Sequence, residues 1–210
     1  YGHEKDSFNE EDWTDTDAEG CSAYNKSKTY AEKAAWDFIN SDECNMELSV
    51  INPSLVLGPV LESDFGTSVE VVKRFLNGGF PLAPNISFGI VDVRDVAQLH
   101  LLALESPQAS GNRFIASSET MAIPSISMVL REKIPEYKKK LPKGTAPNFL
   151  IKLLGLFSPL MKTVADQLGK TKELDNSKAK NILGWQPRSG EEAVVASAKS
   201  LIEFDIVKSP

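Results

Sequence analysis

The residues best suited to do chemistry are Tyr24 and Lys28, within Ser22-Ala-Tyr-Asn-Lys-Ser-Lys28. Positions four apart on a helix share a face, so the ammonium can lie beside the phenol. A phenol titrates near ~10 when unperturbed, and an adjacent cation favours its ionised form. Such a group can exchange a proton with an alcohol or carbonyl oxygen near neutral pH. A hydride from a cofactor would complete a carbonyl reduction.

The bare spacing is weak evidence. With 4 Tyr among the residues, chance gives about one third of a match per chain. Tyr1 and Lys5 match it too, but Gly2 lies between them in a loop-like stretch. Tyr24 differs, because a capping serine precedes it and an alanine-rich run follows. A plain pair on a helix face is the competing reading.

Stepping outward, Tyr1 to Gly20 is acidic and polar and reads as a surface loop. Ser22 caps a predicted helix from about Ala23 to Asn40, with Ala31, Ala34, Ala35, Phe38 and Ile39 as its buried stripe. Leu48 to Asn52, Ser87 to Val91 and Arg113 to Ala116 read as short strands. Helices are predicted over Val69 to Leu76, from Asp92 to about Glu105, and over Pro124 to Lys133, Ser177 to Leu183 and Glu191 to Phe204. Val96, Leu99, Leu102 and Ala103 form the inner face of the second. Between Pro142 and Leu168 lie short, apolar helical pieces with Phe149, Leu150, Leu153, Leu154, Phe157, Leu160 and Met161, expected to pack in a core or line a pocket. Strands alternate with helices first and helices dominate later, which predicts part of a parallel α/β sheet with a smaller, largely helical region.

Composition excludes several classes. The 210 residues are 41% hydrophobic and 25% charged, the range of ordinary globular proteins. A net charge of −6 argues against an electrostatic grip on nucleic acid. No apolar run approaches the ~18 residues of a membrane span, so no membrane partner is expected. Cys21 and Cys44 fit no zinc spacing and His3 and His100 are isolated, so no metal site is expected. Free thiols suit a reducing cytoplasm. The run Lys138, Lys139, Lys140 and Lys143 reads as a solvated loop, with a local anion site as its rival.

Tyr24-Asn-Lys-Ser-Lys28 followed by Ala31-Glu-Lys-Ala-Ala35 resembles the catalytic helix of the extended short-chain dehydrogenase/reductases, the NAD-dependent epimerase/dehydratase superfamily. Asn52-Pro-Ser-Leu-Val-Leu-Gly-Pro59, Val91-Asp-Val-Arg-Asp-Val-Ala97, Gly111-Asn-Arg-Phe-Ile115 and Asp175-Asn-Ser-Lys-Ala-Lys-Asn-Ile-Leu-Gly-Trp185 are similar to further signposts of that family, in the same order. Together they span nearly the whole chain. Within the family the dihydroflavonol 4-reductase-like branch is the best match, and Asp12-Trp13 also suits it. That branch contains cinnamoyl-CoA reductases and NADPH-dependent aldehyde reductases.

The resemblance implies the C-terminal part of a Rossmann-type doubly wound parallel sheet plus a small, mainly helical substrate-binding region. Residues 1–60 would hold the catalytic helix. Residues 61–210 would form a mixed substrate region whose strands over 87–117 return to the sheet. Tyr24 would donate the proton, and Lys28 would lower its pKa and bond the nicotinamide ribose. Pro53, Ser54, Leu55 and Val56 would contact the nicotinamide end. Gly58, Pro59 and Phe65 would help close the substrate pocket. Each has a plainer reading: Pro53 as a strand end, Gly58-Pro59 as a turn and Phe65 as packing. Asp92 and Asp95 read as helix caps, His100 as a packed or partly exposed residue and Trp185 as a core anchor.

The family's Gly-rich phosphate turn has no counterpart here. The expectation is therefore the C-terminal portion of a longer enzyme, without its first ~120–130 residues and unable to fold stably or bind cofactor alone. The implied activity is reduction of an aldehyde or ketone, with NADP(H) favoured by branch and NAD(H) as the alternative. Homodimer formation by the full-length protein is also implied. The rivals are a sugar-nucleotide epimerase or dehydratase, and a non-catalytic nucleotide-sensing protein on the same fold.

Overall fold

The computed structural model describes residues 5–42 and 44–210. Tyr1 and His3 therefore lie outside the described residues, while Lys5 Nζ donates to Asp12 Oδ1 at 2.6 Å.

The acidic N-terminal stretch is not all loop. Ser7–Phe8 (β1) pairs in parallel with a short strand at Glu173–Leu174. Two residues are too few for a periodicity to show. Helix α1 spans Ala23–Ile39. Strand β2, Ser49–Pro53, is followed after one residue by β3, Leu55–Leu57. Then come α2 (Glu70–Leu76), β4 (Ser87–Asp92), α3 (Val93–Glu105) and β5 (Asn112–Ala116). Strand β6 (Glu119–Ala122) leads into α4 (Ile123–Lys133). The remainder holds α5 (Asn148–Gly155), α6 (Pro159–Gln167), β7 (Glu173–Leu174), α7 (Ser177–Leu183) and α8 (Gly190–Glu203).

Strand β2 runs parallel to β5, with Ser49 opposite Asn112 and Pro53 opposite Ala116. Strand β3 runs parallel to β4, pairing Leu55 with Ile90 and Leu57 with Asp92. Ser54 is therefore the crossover where the chain leaves one partner for another, and its amide donates to the Ala116 carbonyl at 3.0 Å. Gly89 lies at the same junction, where a Cβ would come within 2.8 Å of Ser117 Oγ and 3.1 Å of Ser54 Cβ. Only glycine admits this close approach. Strand β6 joins β4 antiparallel, so the expected parallel arrangement is incomplete. Of its four residues only Met121 is buried, which leaves no hydrophobic alternation to read.

The interior divides into two clusters. One gathers α2, α4 and α8 against β4 through Val72, Phe75, Leu76, Ile90, Ile126, Leu130 and Leu201. The other packs α3 and α7 on β5 through Leu99, Phe114, Ala179 and Trp185. Trp185 is the core anchor expected, and its indole N–H donates to the Asp95 carbonyl at 2.9 Å.

Two packing expectations are corrected. In α1 only Thr29 is buried; Ala31, Ala34 and Phe38 are exposed, and Ala35 and Ile39 are half-buried. Helical spacing shows which residues share a face, and among the described residues no element covers this one. In the Pro142–Leu168 stretch Ile151 is the buried residue of α5, while Phe149, Leu153, Leu156 and Phe157 face outward. Helices α5 and α6 pack chiefly on each other, while Val164 and Leu168 reach the larger cluster; the Leu160 side chain lies outside what is described.

Candidate active site

Helix α1 begins where the sequence says it should. Ser22 holds extended backbone angles, and its Oγ accepts the Asn25 amide hydrogen at 3.1 Å. This cap places Tyr24 in the first turn. Ser27 and Thr29 return hydroxyl bonds to the Tyr24 and Asn25 carbonyls at 2.8 and 2.9 Å. Lys28 Nζ lies over the Tyr24 ring, 5.6 Å from its centroid. The two side chains therefore come together on a solvent-facing turn, with Tyr24 67% exposed. Among the described residues Lys28 forms no ion pair, so its three donors are available.

One turn further along the same stripe is Glu32. Its Oε1 accepts from Arg113 Nε at 2.6 Å and from Trp36 Nε1 at 3.3 Å. Its Oε2 accepts from Asn52 Nδ2 at 3.1 Å and Arg113 Nη2 at 3.3 Å. Asn52 directly precedes Pro53, so the stripe that carries Tyr24 and Lys28 is tied to the end of β2. Arg113 also donates to the Glu10 and Asp12 carbonyls, and its guanidinium stacks 3.9 Å from the Trp13 ring centroid. Neither Glu32 nor Arg113 stands out by spacing, because they are 81 residues apart.

The remaining expected positions are distributed as follows. Pro53 ends β2 and is exposed. Ser54 uses both its amide and its hydroxyl on the Ala116 carbonyl. Leu55 packs toward the larger core cluster and Val56 toward the smaller. Gly58 is buried, with φ +119°; its amide donates to Ser197 Oγ at 2.7 Å, and the same hydroxyl donates back to its carbonyl at 2.9 Å. A Cβ there would meet Asp92 Oδ1 at 2.9 Å. Pro59 follows, half-buried. Phe65 packs on the larger cluster beneath the Lys73 ammonium, 5.2 Å from its ring, and lines an open cleft of about 600 Å³ with Thr67, Glu70 and Phe80.

Asp92 and Asp95 act within the fold. Asp92 Oδ1 caps α3 by accepting the Arg94 amide at 2.9 Å, and the Arg94 guanidinium binds both its oxygens. Burial pushes this carboxyl up, but the Arg94 hydrogen bonds and charge outweigh that and hold it below the usual carboxylate range. Asp95, fully buried, accepts the Arg188 amide at 2.7 Å and the Arg188 guanidinium. His100 is exposed, with its Nδ1 2.8 Å from the Val96 carbonyl. No three His, Cys, Asp or Glu residues among those described group as a metal site. No helix among them is long and apolar enough to cross a membrane.

No family model matches the sequence. Individual proteins do. The chain is 32% identical to the NADPH-dependent methylglyoxal reductase GRE2 of Saccharomyces cerevisiae, over 94% of this chain and 57% of that protein. It is 36% identical to the cinnamoyl-CoA reductase CAD2 of Medicago truncatula, over 75% of this chain and 52% of that protein. The crystal structure of the yeast methylglyoxal/isovaleraldehyde reductase Gre2 with NADPH superposes at a TM-score of 0.74 and 30% identity, covering 95% of this chain and 58% of that one. The chain thus spans little more than half the length of the relatives it matches. The ordered motifs from Tyr24 to Trp185, the parallel strands with flanking helices and these likenesses agree: the chain belongs to the extended short-chain dehydrogenase/reductase superfamily, in its dihydroflavonol 4-reductase-like branch.

Proposed function

We propose that the full-length protein is an NADPH-dependent reductase of aldehydes or ketones, with Tyr24 as its proton donor. The observation that carries this reading is the Lys28 ammonium over the Tyr24 ring on a capped, solvent-facing helical turn. When bound, a reduced nicotinamide would supply the hydride that the carbonyl carbon needs. The Tyr24 hydroxyl gives its proton to the carbonyl oxygen, so the product is the alcohol. Lys28 lies over the ring of that phenol and offers hydrogen bonds to ribose hydroxyls. The main chain from Pro53 to Val56 would hold the nicotinamide end, and the segment from Gly58 to Phe65 would border the substrate. The residues fit such a cofactor: Lys28 has its donors unspent, and Glu32 ties its helix to the strand end at Asn52–Pro53. NADPH is preferred over NADH because the yeast relative is named as NADPH-dependent and its crystal structure holds NADPH.

The test is loss of reduced nicotinamide on adding an aldehyde panel to the full-length protein. Turnover is expected, and Tyr24→Phe should nearly abolish it while NADPH still binds. Unchanged turnover in Tyr24→Phe, or activity on nucleotide sugars but not aldehydes, would overturn the reading.

A further inference from the structure

We infer that Glu32 and Arg113 are positioning residues: their ion pair sets where α1 sits on the sheet and so where Tyr24 delivers its proton. The inference rests on the reading of Tyr24 above.

Among the described residues, apolar burial contributes little to holding α1. Of its 17 residues only Thr29 is buried, and Tyr24, Tyr30 and Phe38 are more than half exposed. Among the described residues a directional contact therefore counts for most in placing α1. Glu32 makes that contact. Its two oxygens accept four hydrogen bonds, from Arg113 twice, Asn52 and Trp36. A carboxylate has about four lone-pair sites, so this one is saturated. The pair is largely shielded from water, with side chains 13% and 16% exposed. A shielded, two-pronged guanidinium–carboxylate pair fixes orientation as well as distance.

The partners of this carboxylate matter more than its strength. Arg113 lies within β5, opposite Val50 of β2, so it belongs to the sheet. The same guanidinium holds the Glu10 and Asp12 carbonyls and stacks on Trp13, which brings the acidic loop to the helix. Asn52 is the residue before Pro53, at the strand end assigned to the nicotinamide. Glu32 therefore joins the helix carrying the proton donor to the strand that would hold the hydride donor. Tyr24, Lys28 and Glu32 stand at i, i+4 and i+8, so movement at Glu32 passes up the stripe to the phenol. A displacement of about 1 Å at a reacting group can cost on the order of 10²-fold in rate.

The experiment compares Glu32→Gln, Glu32→Asp, Arg113→Lys and Tyr24→Phe in the full-length protein, with Ile126→Val in α4 as a core control. Glu32→Gln should lower kcat by on the order of 10- to 100-fold, leave KM for the carbonyl substrate nearly unchanged and shift the pH profile of kcat. Glu32→Asp should recover part of kcat, because it keeps the carboxylate. Arg113→Lys keeps the charge but not the fork and should resemble Glu32→Gln; it carries the test if Glu32→Gln does not fold. Ile126→Val should lower Tm without changing the profile. If Glu32→Gln or Arg113→Lys lowers Tm yet keeps the wild-type kcat and pH profile, the pair is merely structural and the inference is overturned. Retained turnover in Tyr24→Phe would instead defeat the proton-donor reading, so the two failures are separable.

Discussion

Helices α1 and α8 solve the same problem in opposite ways. Helix α8 has 14 residues, of which Gly190, Ala193, Val194, Ser197, Ala198, Ser200 and Leu201 are buried. It starts with a reciprocal cap between Ser189 and Glu192, and its small residues let β3, β4 and α2 approach closely. Helix α1 is longer and buries one residue, yet it carries the candidate chemistry. Apolar packing holds a helix firmly but hides its surface. Among the described residues α1 leaves the faces of Tyr24 and Lys28 open, and its side-chain ties to the sheet are polar, through Glu32. Within the described residues the candidate chemistry and the dense packing thus fall on different helices.

The largest expected effect exploits that separation. Tyr24→Phe removes one exposed hydroxyl, so Tm should stay within a degree or two of wild type. Turnover should fall by about 10²- to 10⁴-fold, the usual worth of a positioned general acid. A variant that loses activity only in proportion to lost folded protein would erase the contrast.

Leu201→Ala makes the complementary break. Leu201 is fully buried in α8, and truncating such a leucine costs about 2–5 kcal/mol. Denaturant unfolding of the full-length protein should show that loss, with kcat per folded molecule preserved. A cost below about 1 kcal/mol would mean that α8 is less tightly packed than its burial indicates.

Ser197→Ala sharpens the comparison where α8 meets the candidate substrate segment. Its hydroxyl both accepts from and donates to the Gly58 backbone. Without it a buried amide loses its partner, at about 1–3 kcal/mol. Because Gly58 opens the segment that leads to Phe65, KM for the carbonyl substrate should rise as well. A stability loss with KM untouched would assign Gly58 to the fold alone.

The sequence carries some of this arrangement plainly. Ser22 followed by an alanine-rich run marks the start of α1, and the short β-rich runs locate β2, β4 and β5 to within a residue or two, because cap chemistry and strand periodicity are local. The Tyr24–Lys28 contact follows from helical spacing alone. What covers a face is not local. The apolar residues of α1 and of α5 have the spacing of a buried stripe and are largely exposed. The Glu32–Arg113 pair joins residues 81 apart, and although each lies in a segment that resembles a family signpost, nothing in either segment shows that the two meet. Motif reading finds the groups that could react; the contacts that aim them emerge only from tertiary structure.

The smallest effect concerns acid, and it divides the molecule along the same line. The cap of α1 is Ser22, which does not titrate in the acid range; the cap of α3 is Asp92, buried beside Gly58 on the α8 side. Arg94 holds the Asp92 carboxyl below its usual range despite burial. A depressed carboxyl contributes stability above its unfolded value near ~3.9 and loses it as pH falls through the folded value. At neutral pH that contribution is therefore complete. Arg94→Gln removes the cation and leaves burial to dominate, so the carboxyl should move upward and acid unfolding should begin at higher pH. Amide NMR can follow both caps in one titration. The Arg94 N–H, bonded to Asp92, should shift as acid is added, while the Asn25 N–H, bonded to Ser22, should stay in place until global unfolding. In Arg94→Gln the corresponding amide at position 94 should shift at a higher pH. If both amides moved together in the wild-type protein, α1 would share the titrating core of α3 and α8, and the separation between a packed half and a polar-latched helix would not stand.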